Sequence, residues 1–206
     1  MKLTFVRPAT LLALALGLSA CGGKAMFDVG GNIGGLVYSG LVLTNSGSDL
    51  AVAAGATSYK FPNQIAYGDS FNISVKTNPL HQSCAPLGAD TTGHTIDTAG
   101  RMAVISVGVA CSLDQHKIGG TIVGMSAAGL VLTNGTAGGI YTAVAPTGAD
   151  IVYEFGSLVT YGVSYGVSVL TNPAGQKCTV ANSTAVMGDT DVTNIIVTCV
   201  PEGLGG

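Results

Sequence analysis

The chain has few charged residues and no tryptophan. Of its 206 residues only 9% are Asp, Glu, Lys or Arg, and the formal net charge is −3, whereas about 25% charged residues is usual for a soluble domain. Scarcity of Glu, Lys and Arg disfavours helices. Because no basic patch is present, the electrostatic footprint of a nucleic-acid-binding protein is missing as well. We therefore expect no nucleic-acid partner.

Histidine is equally scarce, which argues against most catalytic and metal sites. His81, His94 and His116 are the three in the chain, and they lack the close spacing of metal ligands. We therefore expect the three histidines to be exposed to solvent. No Gly-x-Ser-x-Gly elbow is followed by an acid and a histidine, since all three histidines precede residue 117. We expect no catalytic residue, no metal and no cofactor, with an envelope hydrolase as the alternative.

Two further groups of side chains leave alternatives open. Asp189 and Asp191, in Gly188-Asp-Thr-Asp, are compatible with a calcium site, but Gly-Asp turns need no ion and a turn is preferred. The tyrosines allow a sugar-stacking platform, although about half of them occupy alternating strand positions and favour the core. They are Tyr38, Tyr59, Tyr67, Tyr141, Tyr153, Tyr161 and Tyr165.

Glycine, by contrast, is abundant, at 31 residues, and many Gly, Asn and Asp residues separate short β-branched runs. Phe71, Ile73 and Val75 alternate with polar or small residues, as expected of a strand with one buried face. About six or seven short strands per half of the chain indicate antiparallel β-sandwiches. We predict an all-β fold that is immunoglobulin-like in architecture. A strand is also predicted at Gly35–Tyr38.

The first twenty residues have the three parts of a secretory signal. Lys2 and Arg7 supply positive charge, and Leu11 to Leu18 form an apolar stretch shorter than the roughly 20 residues of a membrane-spanning helix. Leu18-Ser19-Ala20-Cys21 follows and resembles the lipobox of bacterial lipoproteins. The resemblance implies cleavage before Cys21, lipidation of its thiol and attachment to the membrane, most simply the outer membrane. An ordinary signal followed by a coincidental cysteine is the alternative.

Two halves of the chain repeat each other. Gly40-Leu-Val-Leu-Thr-Asn45 recurs as Gly129-Leu-Val-Leu-Thr-Asn134, and a longer match begins at Tyr67 and again at Tyr161. We align the openings as Ile33-Gly-Gly35 and Ile118-Gly-Gly120. Since tandem repeats define the architecture, four segments are predicted: a signal peptide at 1–20, a flexible lipidated tether at 21–31, and sandwich modules at 32–115 and 116–206.

The cysteines follow the same division. Cys21 is left over for lipid, and each module keeps two cysteines at matching positions. Four cysteines allow three pairings, and the repeat selects Cys84–Cys111 and Cys178–Cys199. A metal or redox role would need clustered thiols such as Cys-x-x-Cys, and none occurs. Each disulfide is expected to contribute roughly 3 kcal/mol by loop closure.

The second half also resembles a repeat found in exported bacterial lipoproteins. Pro173-Ala-Gly-Gln-Lys-Cys178 matches its Pro-x-Gly-Gln-x-Cys segment, whereas Pro79-Leu-His-Gln-Ser-Cys84 lacks the glycine. The resemblance implies tandem surface or periplasmic modules and brings no catalytic residues. We therefore predict a lipid-anchored envelope protein that is structural, adhesive or protein-binding, with an unknown envelope or surface partner and possible self-association. A small-ligand or glycan-binding module is the alternative.

Overall fold

The computed structural model describes residues 23–101, 104–135 and 138–203. The regular secondary structure in these ranges consists of β-strands. The signal peptide and Cys21 lie outside the described residues, so their cleavage and lipidation stay predictions.

Two separate hydrophobic cores divide the chain. The first includes Val29, Leu43 and Ile73, and the second includes Ile118 and Leu132; all five are fully buried. Full burial of an aliphatic side chain contributes about 1.5 to 3 kcal/mol. The prediction of an all-β chain with two tandem β-sandwiches is confirmed.

The first sandwich, module 1, is built from short strands. They are β1 (Met26–Phe27), β2 (Val29–Gly34), β3 (Val42–Asn45), β4 (Ser48–Ala51), β5 (Ser58–Lys60), β6 (Ile65–Ala66), β7 (Ser70–Thr77), β8 (Gln82–Pro86), β9 (His94–Thr98), β10 (Ile105–Ser106) and β11 (Val109–Leu113). One sheet has the order β10-β2-β11-β8, with β5 also on β2, and the facing sheet has the order β4-β3-β7-β9. Strand β1 pairs with β6.

The second sandwich, module 2, repeats this plan. Its strands are β12 (Gln115–His116), β13 (Ile118–Val123), β14 (Val131–Asn134), β15 (Ile140–Thr142), β16 (Ile151–Glu154), β17 (Val159–Thr160), β18 (Ser164–Thr171), β19 (Gln176–Ala181), β20 (Thr184–Val186) and β21 (Val192–Pro201). The sheets have the orders β16-β13-β21-β19 and β15-β14-β18-β20, and β12 pairs with β17. The long β21 occupies the place that β10 and β11 share in module 1.

One strand in each module has parallel partners. Strand β2 runs parallel to β10 and β11, and β13 runs parallel to β21, while the other ladders are antiparallel. The beginning of each module is therefore held between later strands of the same sheet. This arrangement ties the start of each module to its end.

The first module begins earlier than residue 32. Met26–Phe27 and Val29–Gly34 are strands, and Val29 is fully buried in the core. The prediction of a flexible tether at 21–31 is therefore wrong from residue 26 onward. Burial of Val29 and its ladder hydrogen bonds hold this segment in the sandwich.

The cause of that error is the alignment of the two openings. The Phe61 amide donates to the Val29 carbonyl at 2.8 Å, and the Phe155 amide donates to the Ile118 carbonyl at 2.9 Å. Val29-Gly-Gly31, not Ile33-Gly-Gly35, is thus the equivalent of Ile118-Gly-Gly120.

These paired glycines are required by close backbone approach. A Cβ on Gly31 would lie 1.9 Å from the Val107 carbonyl oxygen, and one on Gly120 would lie 1.7 Å from that of Ile195. Such separations are far inside van der Waals contact, so no side chain fits. The repeated glycines mark the place where β2 and β13 closely approach the backbone near the end of their own module.

The predicted strand at Gly35–Tyr38 is also wrong, because a glutamine side chain takes the place of a neighbouring strand. The Gln82 Oε1 atom accepts the amides of Val37 and Tyr38 at 2.8 and 2.9 Å, and its Nε2 donates to the Gly35 carbonyl at 2.7 Å. Gln82 is 1% exposed. A buried amide with three backbone bonds fixes this segment as a loop.

Both disulfides join neighbouring strands of one sheet. Cys84 lies directly opposite Cys111 on β8 and β11, and Cys178 lies opposite Cys199 on β19 and β21. This is the pairing that the repeat predicts. Each bond fastens an edge strand to the strand that runs parallel to the start of its module.

A joint between the modules as the candidate functional site

The two modules are connected by one residue. Strand β11 ends at Leu113 and β12 begins at Gln115, so Asp114 alone lies between them. The Asp114 amide donates to the His81 carbonyl at 2.9 Å, and its own carbonyl accepts the Tyr161 amide at 2.8 Å. Its carboxylate accepts the Ser83 hydroxyl at 2.7 Å. The connection is therefore bonded to both modules.

His81 is the side chain that crosses this joint. It follows β7 in module 1, and its ring stacks on Tyr161 of module 2 with centroids 4.0 Å apart and planes 6° from parallel. His81 Nδ1 lies 2.6 Å from the Asp189 Oδ1 atom, also in module 2. Tyr38 packs edge-on against both rings, at 5.0 and 5.9 Å. One imidazole thus makes both an aromatic and a polar contact with the second module.

The backbone of His81 explains why the side chain reaches this position. Its φ is +59°, in the left-handed region, and the equivalent Gly175 in module 2 has φ +69°. A non-glycine residue in this region costs of order 1 to 3 kcal/mol. The turn that requires glycine in module 2 therefore carries a strained histidine in module 1, where the ring meets the next module.

Charge at the joint is arranged around Asp189. A carboxylate only accepts hydrogen bonds, so His81 carries a proton on Nδ1 and donates it to Asp189. The pKa of Tyr161 is raised, first by desolvation and then by the nearby Asp189 carboxylate and Tyr38. Tyr161 therefore stays a neutral phenol against the imidazole.

A second aspartate secures the start of module 2. Asp191 Oδ1 accepts the Lys117 amide at 2.8 Å and lies 3.6 Å from His116 Nδ1. His116 Nε2 is buried with no hydrogen-bond partner among the described residues. Asp189 and Asp191 thus belong to one loop that contacts both the joint and the residues immediately before β13.

The expectation of solvated histidines is wrong. The side chains of His81 and His116 are only 23% and 20% exposed, and His94 Nδ1 lies 2.7 Å from Asn72 Oδ1. Each ring is held by another side chain. Sequence reasoning missed the role of His81, although the signal was present: His81 replaces a repeat glycine.

The calcium alternative gains no support from the described residues. Asp189 and Asp191 lie two positions apart but take different partners, and no group of three or more His, Cys, Asp or Glu side chains in the described ranges is placed to hold a metal ion.

The tyrosines do not form a common surface. Tyr59, Tyr153 and Tyr165 are buried core residues, and Tyr141 packs partly against the second core. Burial raises the pKa of Tyr59 to about 12, and its hydroxyl donates to the Val107 carbonyl at 2.8 Å.

Tyr38 and Tyr161 pack in the joint, and Tyr67, the repeat equivalent of Tyr161, is 57% exposed. The fold therefore does not bring several tyrosines together as a stacking platform.

Several polar residues of the repeat accept hydrogen bonds from backbone amides of their own module. Asn45 and Asn134 accept backbone amides of β7 and β18 at 3.0 Å in both modules. Asn78 and Asn172 do the same for the Cys84 and Cys178 amides, at 2.9 and 2.8 Å. These side chains recur because each satisfies a backbone amide within a strand.

Within the described residues, no helix is long and apolar enough to cross a membrane.

Neither protein-family models nor curated proteins match the chain. Among solved structures, a single-substitution variant of the major pilin of Streptococcus pyogenes is similar over 86% of this chain and 98% of its own, with 10% identity and a TM-score of 0.27. A second variant of that pilin has a TM-score of 0.26, and the unsubstituted pilin has 0.25, both at 10% identity and over 86% of this chain. They cover 99% and 98% of those pilin chains.

Proposed function

We propose that this chain is a non-enzymatic bacterial envelope protein, held by lipid on Cys21, whose two modules form one rigid unit that contacts another envelope or surface protein. The observation that carries the proposal is the joint. A single connecting residue, a stacked His81–Tyr161 pair and the His81–Asp189 hydrogen bond orient module 2 on module 1.

The polar groups at the joint support a mechanical role over a chemical one. Asp114 bonds Ser83, Asp189 bonds His81, and Asp191 bonds the Lys117 amide. A general acid or base must reach the proton that it transfers, and these carboxylates face groups of the chain itself. Asp114 and Asp189 connect the two modules, and Asp191 holds the start of module 2.

The short distance from Cys21 to the first strand supports the anchoring part of the proposal. Strand β1 begins at Met26, which leaves residues 22–25 as spacer. Fully extended, four residues span about 14 Å. Lipid on Cys21 would thus keep module 1 next to the membrane. Two or more acyl chains are what stable anchoring requires.

Mass spectrometry of the protein from the membrane fraction tests the anchor. We expect a mature N-terminus at Cys21 with the mass of a diacylglyceryl group. A Cys21→Ala variant should remain unlipidated and leave the membrane fraction. An unmodified, alkylatable Cys21 thiol in the wild-type protein would contradict the anchoring proposal.

Photo-crosslinking in intact cells tests the partner. A photoreactive residue placed at exposed Val152 or Leu170, which are 82% and 59% exposed, should yield one discrete heterologous adduct if the unit binds an envelope protein. An adduct of twice the chain mass would indicate self-association. Absence of any discrete adduct from positions on all four sheets would overturn the protein-contact proposal.

A further inference from the structure

Module 1 has a polar groove on the outer face of the sheet β4-β3-β7-β9. It is lined by hydroxyl, amide, imidazole and charged side chains. They are Thr44, Ser46, Asp49, Asn72, Ser74, Lys76 and His94. This groove lies on the sheet opposite the disulfide and takes no part in the joint.

Module 2 shows that the fold does not need these groups. By strand register, Asp49 of module 1 corresponds to Ile140, and Lys76 to Leu170. Asn72 corresponds to Gly166, because their backbone amides donate to the equivalent asparagines Asn45 and Asn134. The same sheet is therefore stable without charged groups on its outer face. Asp49, Asn72 and Lys76 are specific to module 1, whereas Thr44 and Ser74 recur as Thr133 and Ser168.

A loop present only in module 1 brings His94 to the groove. Strand β8 ends at Pro86 and β9 begins at His94, whereas β19 and β20 are separated by two residues, 182–183. The Asp90 carboxylate holds the longer loop by accepting the Thr92 amide at 2.8 Å and the His94 amide at 3.1 Å. The additional residues of module 1 thus end at a groove side chain.

Hydrogen bonding in the groove sets the direction of each group. The Asn72 Oδ1 atom accepts from His94 Nδ1, so a neutral His94 presents Nε2 as an acceptor. Lys76 donates to Asp49, and the pKa of Asp49 is held below its usual range by the hydrogen bonds from Lys76 and Thr44. An ammonium group has three donors, and the bond to Asp49 uses one of them.

This balance of groups points to a ligand class. One cation faces one carboxylate, so an anionic ligand such as a phosphate would meet Asp49 as well as Lys76. Alternating donors and acceptors suit a neutral ligand whose own groups both donate and accept, which describes the hydroxyls of a sugar. We propose that the module 1 groove binds a neutral saccharide.

A glycan array with neutral and anionic oligosaccharides tests the proposal on the full-length protein in a detergent without a sugar headgroup. We expect binding to a set of neutral glycans, with dissociation constants on the order of 0.1 to 1 mM in calorimetry of the soluble oligosaccharides. Asp49→Ile with Lys76→Leu, which installs the module 2 residues, should weaken binding at least about tenfold. His94→Ala should weaken it to a similar extent.

The matched control is Lys60→Met, which removes an exposed ion pair from the other sheet of module 1. It should bind like the wild type, and circular dichroism should show that all variants are folded. Binding to anionic glycans alone, equal binding by wild type and the Asp49→Ile/Lys76→Leu variant, or no binding to any neutral glycan would each overturn the proposal.

Discussion

The two modules share one fold and differ at their surfaces. The cross-strand ion pair before the paired glycines shows this most simply: Asp28 pairs with Lys60 in module 1, and Lys117 pairs with Glu154 at the same place in module 2, both at 2.8 Å. The charges are exchanged and the contact is kept. The fold therefore requires complementarity at this position and does not specify which strand carries which sign.

The joint and the groove show the opposite kind of difference. His81 stands where module 2 has Gly175, and the Asp49–Lys76 pair stands where module 2 has Ile140 and Leu170. Here no equivalent contact is kept. A sequence difference that preserves a contact, as at the exchanged ion pair, reflects the shared fold. A difference that creates a contact in one module, as at the joint and the groove, indicates a role specific to that module.

The largest expected effect tests the shared part of the comparison. Gly31→Ala and Gly120→Ala should each destabilise their module by about 3 to 5 kcal/mol or prevent folding, since the added Cβ meets a carbonyl oxygen within 2 Å. Chemical denaturation followed by circular dichroism measures this. Gly34→Ala is the control, because a Cβ there meets nothing within 4 Å. Equal stability of Gly31→Ala and Gly34→Ala would show that the glycine equivalence is misassigned.

The disulfides come next. Replacing either pair by alanine should cost about 3 kcal/mol through the lost loop closure. The Cys178–Cys199 pair is buried, at 7% and 4% exposure, whereas Cys84 and Cys111 are partly exposed, so the module 2 double variant should lose more. Thermal unfolding of both double variants provides the ranking. A greater loss in module 1 would mean that loop length, 27 against 21 positions, outweighs burial.

A smaller change in stability is expected at the joint. His81→Gly installs the module 2 residue, and it should relieve about 1 kcal/mol of backbone strain while removing the stack on Tyr161. Module 1 should keep or gain stability, and the two modules should tumble independently. Residual dipolar couplings report their relative orientation. His81→Ala, which retains the strain, is the control, and one common alignment tensor for both modules of His81→Gly would contradict a joint held by His81.

The smallest effect is expected from the exchanged ion pairs. Lys60→Glu opposes Asp28 with a like charge, and we expect a fall in Tm of no more than about 2 °C, because both groups are exposed. Adding Asp28→Lys should restore the wild-type Tm with the module 2 polarity. Failure of this second change to restore Tm would show that the position prefers one sign.

These pairs should also respond to pH in opposite ranges. Hydrogen bonds from Lys60 and Gln64 lower the pKa of Asp28, so its contribution is present above the ordinary aspartate range and is lost as the pH falls through the lowered value. A bond to Glu154 raises the pKa of Lys117, so that contribution is lost only as the pH rises through the raised value. Acid therefore weakens this contact in module 1 through Asp28, and alkali weakens it in module 2 through Lys117.

Much of the fold could be predicted from local patterns. Alternation at Phe71, Ile73 and Val75 identified a strand with one buried face, and the matching cysteines indicated the pairs that the structure contains. The start of module 1 could not be predicted, because two Gly-Gly pairs, at 30–31 and 34–35, compete for the same alignment. The hydrogen bond from the Phe61 amide to Val29 and the close approach of Gly31 to Val107 distinguish them.

The candidate sites depended more on three-dimensional contacts. Asn72 and His94 are 22 positions apart, and His81 and Asp189 are 108 apart. No periodicity within a strand or spacing within a motif relates such residues. The one local signal was the histidine in place of the repeat glycine before Gln82, and its meaning depends on Tyr161 lying across the joint.

The sequence by itself determined the repeat, the β-rich class and the lipobox-like segment that ends at Cys21, because each of these is written in neighbouring residues and their chemical types. The tertiary structure decided which glycines are equivalent and that the modules meet through a single residue. It also decided that His81 contacts the second module and does not face solvent. The reason is physical: backbone approach, stacking and hydrogen bonding across a joint depend on distances between residues that are remote in the chain.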